Sequence, residues 1–331
     1  MADHLPALRS GRRVLYALLA LAPASIIFAL ATGSVQLSWA DLWHGLAPTS
    51  HGIGHSLIYE LRLPRAFSAF ATGGLLAVAG ALMQVLLRNP LADPYILGVS
   101  GGAAVGALLA MAAGAGAFAV SGAAFGGALS SILLVFALAR RRGAWTPTRL
   151  LLTGVVVASG WGAAISFILA TSPDTSLHGM LFWLMGDLGG SHRPAGALIT
   201  LAVGLCAALP VARQLNVLSR GELPALGVGV AAGPLHVYVY LLASVMTAAA
   251  VTLAGSIGFV GLITPHLLRL VIGNDQRLLL PAASLLGGSL VVVADTLART
   301  LLAPQQLPVG ILTALLGVPL FLYLLNRSGG G

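Results

Sequence analysis

The stretch RNPLADPYILGVSGGA, residues 88–103, sets two prolines four residues apart between two long apolar runs. Neither proline has an amide proton, and each biases the residue before it, Asn89 or Asp93, away from helical dihedrals. The backbone between two apolar runs is therefore irregular. At membrane depth such backbone persists only against protein or a water-filled cavity. The stretch points to a helical membrane protein with an interrupted crossing.

The rest of the chain agrees. Its 331 residues are 58% hydrophobic and 8% charged, with a mean hydropathy of +0.96, outside the range of a soluble globular domain. All 17 basic residues are arginine. Without lysine, no GxxxxGK[ST] phosphate loop exists here, so ATP hydrolysis by that route is excluded. The formal charge of +8 belongs to arginines between apolar runs, which reads as topology rather than nucleic-acid binding. The single Cys206 rules out an intrachain disulfide and reads as a packing residue.

Apolar runs of spanning length fall near 14–33, 66–87, 95–113, 117–139, 150–171, 195–212, 235–254, 256–272, 278–302 and 308–325. The first resembles a secretory signal but is long and is followed by nine more, so a retained span is expected. With the N-terminus in the cytoplasm, Arg9, Arg12, Arg13, Arg88, Arg140, Arg141, Arg142, Arg149, Arg213, Arg220, Arg269, Arg277 and Arg327 all lie inside. Only Arg62, Arg65, Arg193 and Arg299 lie outside. This distribution satisfies the positive-inside rule for ten spans and fails if one is dropped. The expectation is an all-α membrane protein of about ten transmembrane helices, one transmembrane domain over 1–331, with both termini cytoplasmic. Small residues at helical spacing, Gly73, Ala77 and Ala81 or Gly122, Gly126 and Ser130, suit close helix packing.

Two further breaks follow, in LAGSIGFVGLITPHLLRL (253–270) and PQQLPVGI (304–311), where Pro308 suits the first turn of the last span. Gly/Pro-interrupted spans in both halves favour a transporter. GVSGG (98–102) matches a serine nucleophile elbow, but no histidine is well placed as its base, and Ser100 reads as capping or packing the restarting helix. Asp295 and Arg299 stand i,i+4 on one helix face, a self-neutralising pair or an intramembrane functional site. Asp295 or Asp93 could alternatively serve a proton-coupled carrier. Arg62 and Arg65 of YELRLPR (59–65) lie where arginine is disfavoured, which calls for an acidic external partner or lipid phosphate. His178 and His192 flank an aromatic, Met-containing outer segment, HGMLFWLMGDLGG (178–190), and were they ligands would suit haem iron.

Taken in order, RNPLADPYILGVSGGA, YELRLPR, GSIGFVGLITPHLLRL, ADTLAR and LPVGILTALLGVPLFLYLL resemble the permeases of type II ABC importers (FecCD-type), which take up iron–siderophore complexes, haem and cobalamin. The resemblance covers nearly the whole chain. It implies the type II importer fold, a homodimer in the bacterial inner membrane, two separate ABC ATPase subunits that use the ATP, and a periplasmic substrate-binding protein. It implies no permanently bound cofactor and no metal site. By the same resemblance, a coupling helix near 216–228 carries Leu218, Ser219, Arg220, Gly221 and Glu222. Asn89, Leu91 and Ala92 form a cytoplasmic gate, and Arg62, Arg65 and Arg299 dock the binding protein. Haem is favoured over a ferric siderophore or cobalamin on the aromatic outer segment alone.

Overall fold

The computed structural model describes residues 5–35, 53–140, 146–190 and 194–328. Arg141, Arg142, His192 and Arg193 lie outside the described residues, as do the side chains of Arg9 and Arg327.

Ten apolar helices correspond one to one with the ten expected runs. They are α1 (Leu5–Ala31), α2 (Leu63–Leu86), α3 (Val99–Ala112), α4 (Ala117–Arg140), α5 (Pro147–Thr171), α6 (Ala195–Leu218), α7 (Ala232–Ala254), α8 (Val260–Ile272), α9 (Gln276–Ala298) and α10 (Val309–Ser328). Seven are long and apolar enough to cross a membrane; α3, α8 and α10 carry shorter apolar stretches. At 1.5 Å per residue, α3 and α8 are each about 20 Å long, less than the roughly 30 Å of hydrocarbon. Each follows a helix break, the 3₁₀ turn and Gly98 before α3 and the irregular residues 255–259 before α8.

Start and stop signals explain the differences from the sequence boundaries. The run expected from 95 becomes α-helical only at Val99, because Gly98 sits in the left-handed region at φ 73° after a 3₁₀ turn, Pro94–Leu97. The run expected from 256 begins at Val260, after Gly255 (φ 66°) and Phe259 (φ 69°). Phe259 is the notable case, since a bulky side chain at positive φ persists only when its surroundings fix it. In the other direction, α6 runs on to Leu218 and takes up the first residues of the expected coupling segment.

The core is organised around α2. Residues 71–86 are buried without interruption, so this helix is apolar all round and enclosed by protein; α1, α6, α7, α8 and α9 all pack on it. Glycine permits the closest approaches, where backbone meets backbone. A methyl group on Gly80 would overlap the carbonyl of Gly261 in α8, and one on Gly73 would overlap that of Gly287 in α9. The expected row Gly73, Ala77, Ala81 is thus a packing face. The row Gly122, Gly126, Ser130 is not: nothing lies within 4 Å of a Cβ at Gly122 or Gly126, and Gly127, one position on, meets Gly102 of α3 instead. Cys206 likewise faces outward from α6, where burial was expected.

Candidate functional site

Three regions carry the polar chemistry, and the first lies at the end of the bundle with fewer arginines. Arg62 closes the π-helical turn Leu57–Arg62 that leads into α2, and Arg65 follows in the first turn of α2. Arg299 caps the C-terminus of α9. The fold brings all three, from distant parts of the sequence, around one cavity of about 220 Å³ together with Ser34, Leu57 and Gln306.

Their side chains turn inward. Arg62, 3% exposed, donates to the carbonyls of Leu30 and Val35. Arg65 grips Asp295 at two points, Nε to Oδ2 at 2.9 Å and Nη2 to Oδ1 at 2.8 Å, and reaches Gln306 Oε1 at 2.9 Å. Arg299 donates to the carbonyl of Ala29 at 2.6 Å; its Nε stands 3.8 Å from Asp295 without a hydrogen bond. The expected Asp295–Arg299 pair is therefore secondary. Arg65 is the main partner, because it meets the carboxylate in bidentate geometry while the Arg299 guanidinium is drawn to the carbonyl of Ala29.

The second region comprises the helix breaks. After α2 the chain turns through Arg88, at φ 48°. Asn89 then organises the turn: its Oδ1 accepts from Leu91 N at 2.9 Å and its carbonyl from Ala92 N at 3.1 Å. Ala92 is fully buried while Leu91 is 37% exposed, so the expected gate residues form one tight non-helical loop. Asp93 caps the following 3₁₀ turn by accepting from Tyr95 N at 2.8 Å. The Tyr95 hydroxyl accepts from Ile257 N at 3.0 Å, tying the first break to the second. The second break is held in turn by a 2.9 Å bond from Asp187 N to the carbonyl of Ala254. The start of α10 packs on the same place, Gly310 lying against the carbonyl of Met185. No periodicity argument identifies these cross-links; the lone Tyr95 directly after the second proline was the available signal.

At the arginine-rich end, Ser219 and Arg220 form the turn after α6. Gly221 follows at φ 124°, a conformation that requires glycine, and Glu222–Gly227 is a short helix. The expected coupling residues are thus divided: Leu218 is buried at the end of α6, the turn is exposed, and Glu222 begins the short helix. Glu222 lies 3.9 Å from both Arg88 and His236. Beyond it Leu223, Leu226 and Val228 are 83%, 60% and 67% exposed, an apolar knob outside the spans.

The remaining candidates stand apart among the described residues. Ser100 lies in the first turn of α3, whose N-cap is Gly98. His178, on the helix Asp174–Leu184, packs against Phe182 at 4.4 Å. Among the described residues no cluster of three metal-ligating side chains occurs.

Among the described residues, a bundle of ten apolar helices with buried, cross-linked breaks and a protruding apolar knob defines a multi-pass membrane protein. Residues 19–327 match the FecCD transport family, and the chain belongs to it. It is 44% identical over 286 residues to the cobalamin import system permease protein of Halobacterium salinarum, covering 85% of this chain and 77% of that one. It is 39% identical over 328 residues to the hemin transport system permease protein of Yersinia pestis, covering 95% and 94%. A metal-chelate type ABC transporter solved in an inward-facing conformation superposes with a TM-score of 0.85 at 31% identity, over 96% of this chain and 99% of that one. The fold is that of a type II ABC importer permease.

Proposed function

We propose that this chain is the membrane subunit of an ATP-driven importer for a bulky metal chelate of the tetrapyrrole class, working as a homodimer in the bacterial inner membrane with both termini cytoplasmic. Two ABC ATPase subunits dock at the arginine-rich end and hydrolyse the ATP; a periplasmic binding protein delivers the ligand at the opposite end. The observation that carries the reading is the short helix Glu222–Gly227 with Leu223 83% exposed. An apolar knob beyond the spans is a natural plug for a cleft on another protein, through which ATPase closure would reach α6 and α7.

The gate function of Asn89, Leu91 and Ala92 is supported by the Tyr95–Ile257 bond, which couples that loop to the second break. Two loosely enclosed spans, α5 with Leu152, Val156 and Phe167 exposed and α10 with Leu315 and Leu316 exposed, offer apolar faces for the second copy and for lipid. Relatives named for cobalamin and for haem support the tetrapyrrole class, within which haem keeps only the slight preference of the aromatic outer segment. A secondary carrier based on Asp295 is disfavoured because Arg65 occupies that carboxylate.

The test is reconstitution of this chain with its ATPase in proteoliposomes, with binding protein loaded with haem or with cobalamin. ATPase stimulation and ligand entry support the reading and identify the ligand. Uptake by this chain alone, abolished by a protonophore, would overturn it.

A further inference from the structure

Arg88, Arg220, Arg269 and Arg277 surround a cavity of about 730 Å³ at the arginine-rich end, between the end of α2, the turn after α6, the end of α8 and the start of α9. The only carboxylate among its lining residues is Asp275. That charge is already engaged: Asp275 accepts from Arg277 Nη2 at 2.7 Å and from Asn216 Nδ2 at 2.9 Å. Three guanidinium groups are left without a close counter-charge in the wall.

Arg88 has only a loose 3.9 Å approach to Glu222, with both side chains 43% exposed. Arg220 forms no ion pair among the described residues. Arg269 is the most telling, because it is partly buried and its hydrogen-bond partner is the neutral amide of Gln84. The orientation of that amide is set by its Nε2, which donates to the carbonyl of Leu262 at 3.1 Å. The C-terminal carbonyls of α8 offset part of the Arg269 charge, but a partly desolvated guanidinium without a carboxylate calls for an anion.

Val85, Pro90, Ile272 and Leu278 give the cavity an apolar wall beside the polar Asn216, Ser219 and Asn274, and it lies where α2, α6 and α8 end. A simple anion would answer the arginines and leave this apolar wall unmatched; a phosphodiester carrying glycerol and the roots of acyl chains answers both. We propose that this cavity binds the phosphate of an anionic phospholipid headgroup, clamped between Arg269 and Arg220, so that a lipid braces the turn after α6 against the end of α8. The inference rests on the charge and shape of the cavity, and it shares Arg220 with the turn to which the ATPase subunits are proposed to dock.

The test is native mass spectrometry of the delipidated full-length chain in detergent, titrated with phosphatidylglycerol, cardiolipin or phosphatidylcholine. The anionic lipids are expected to bind at least about tenfold more tightly, and Arg269→Gln and Arg220→Gln each to weaken them about fivefold. Asp275→Asn, which keeps an acceptor for Asn216 and removes the one negative charge, is expected to strengthen them. Opposite effects of Arg269→Gln and Asp275→Asn cannot come from misfolding, which would weaken binding in both. Equal binding of anionic and neutral lipids, or no response to these variants, overturns the proposal. So does inorganic phosphate that binds in an Arg269-dependent way when the lipids do not, which would make the occupant a soluble anion. Loss of ATPase-subunit association in the arginine variants with lipid binding unchanged would make the cavity a protein socket and equally overturn it.

Discussion

Asp295 is held by Arg65, 230 positions away, through a pair of hydrogen bonds, while Arg299, one helical turn along the same helix, stays 3.8 Å off and bonds to a carbonyl of α1 instead. The carboxylate thereby fastens the end of α9 to the beginning of α2. With its side chain 4% exposed and that of Arg65 14% exposed, this is a largely desolvated pair whose members depend on one another.

Asp295→Asn is expected to cost about 3 kcal/mol, because it leaves Arg65 buried without its counter-charge. The Arg65→Gln, Asp295→Asn double variant should recover part of that loss. Thermal unfolding of the detergent-solubilised protein measures both; additive losses would mean that the pair is not coupled.

Docking of a binding protein on the arginine cluster makes a separate prediction. Arg65→Gln should weaken association about tenfold at low salt, with the difference narrowing as salt rises. Arg62→Glu should first reduce folded yield, since Arg62 is buried on two carbonyls. Unchanged affinity and salt slope for Arg65→Gln would remove this residue from the docking surface.

Two glycines that look alike in the sequence should behave oppositely. Gly80→Ala places a methyl group into the Gly261 carbonyl and should abolish monodisperse folded protein in size-exclusion chromatography, whereas Gly126→Ala meets nothing within 4 Å and should elute as wild type. Similar profiles for the two variants would contradict the packing around α2.

Leu223→Asp tests the apolar knob. Because Leu223 is 83% exposed, folding should be unaffected, while co-purification of the ATPase subunit falls at least about tenfold. Undiminished co-purification and transport would move the coupling contact elsewhere.

The pH dependence at the N-cap of α9 has a definite sign. Hydrogen bonds from the Arg277 side chain, with help from Asn216, hold the Asp275 carboxyl down at about 2. A carboxyl with a depressed folded-state value stabilises fully above its ordinary value near 4 and loses that contribution as pH falls toward 2. The difference in melting temperature between wild type and Asp275→Ala is expected to be constant from neutral pH down to about 5 and to shrink below about 4. A difference that varies between pH 5 and 8 would assign the stabilisation to another group.

The ten crossings were legible because an apolar helix leaves a long, one-dimensional signal, and RNPLADP announced its break through two prolines. The sequence also identified Arg62, Arg65 and Arg299 as a group, and the fold gathers them around one cavity. What it did not reveal was side-chain direction. Arg62 looked free because the carbonyls that bind it lie about thirty residues earlier, and Asp295 was paired with its nearest basic neighbour because only tertiary structure brings Arg65 alongside. The same limit applies to Gly126 and Gly127: helical spacing shows that a face exists, and only packing shows which side of it meets another helix. The positive-φ conformations of Arg88 and Phe259 carried no residue-type signal, since neither is glycine.

Because residues 71–83 of α2 are buried within the chain, that stretch of the helix has no surface on which lipid, ligand or partner could act. Adaptation to a new cargo or partner then works through other elements, such as the exposed faces of α5 and α10. The spindle is common property of any variant that folds, and a library aimed at altered specificity should leave it untouched.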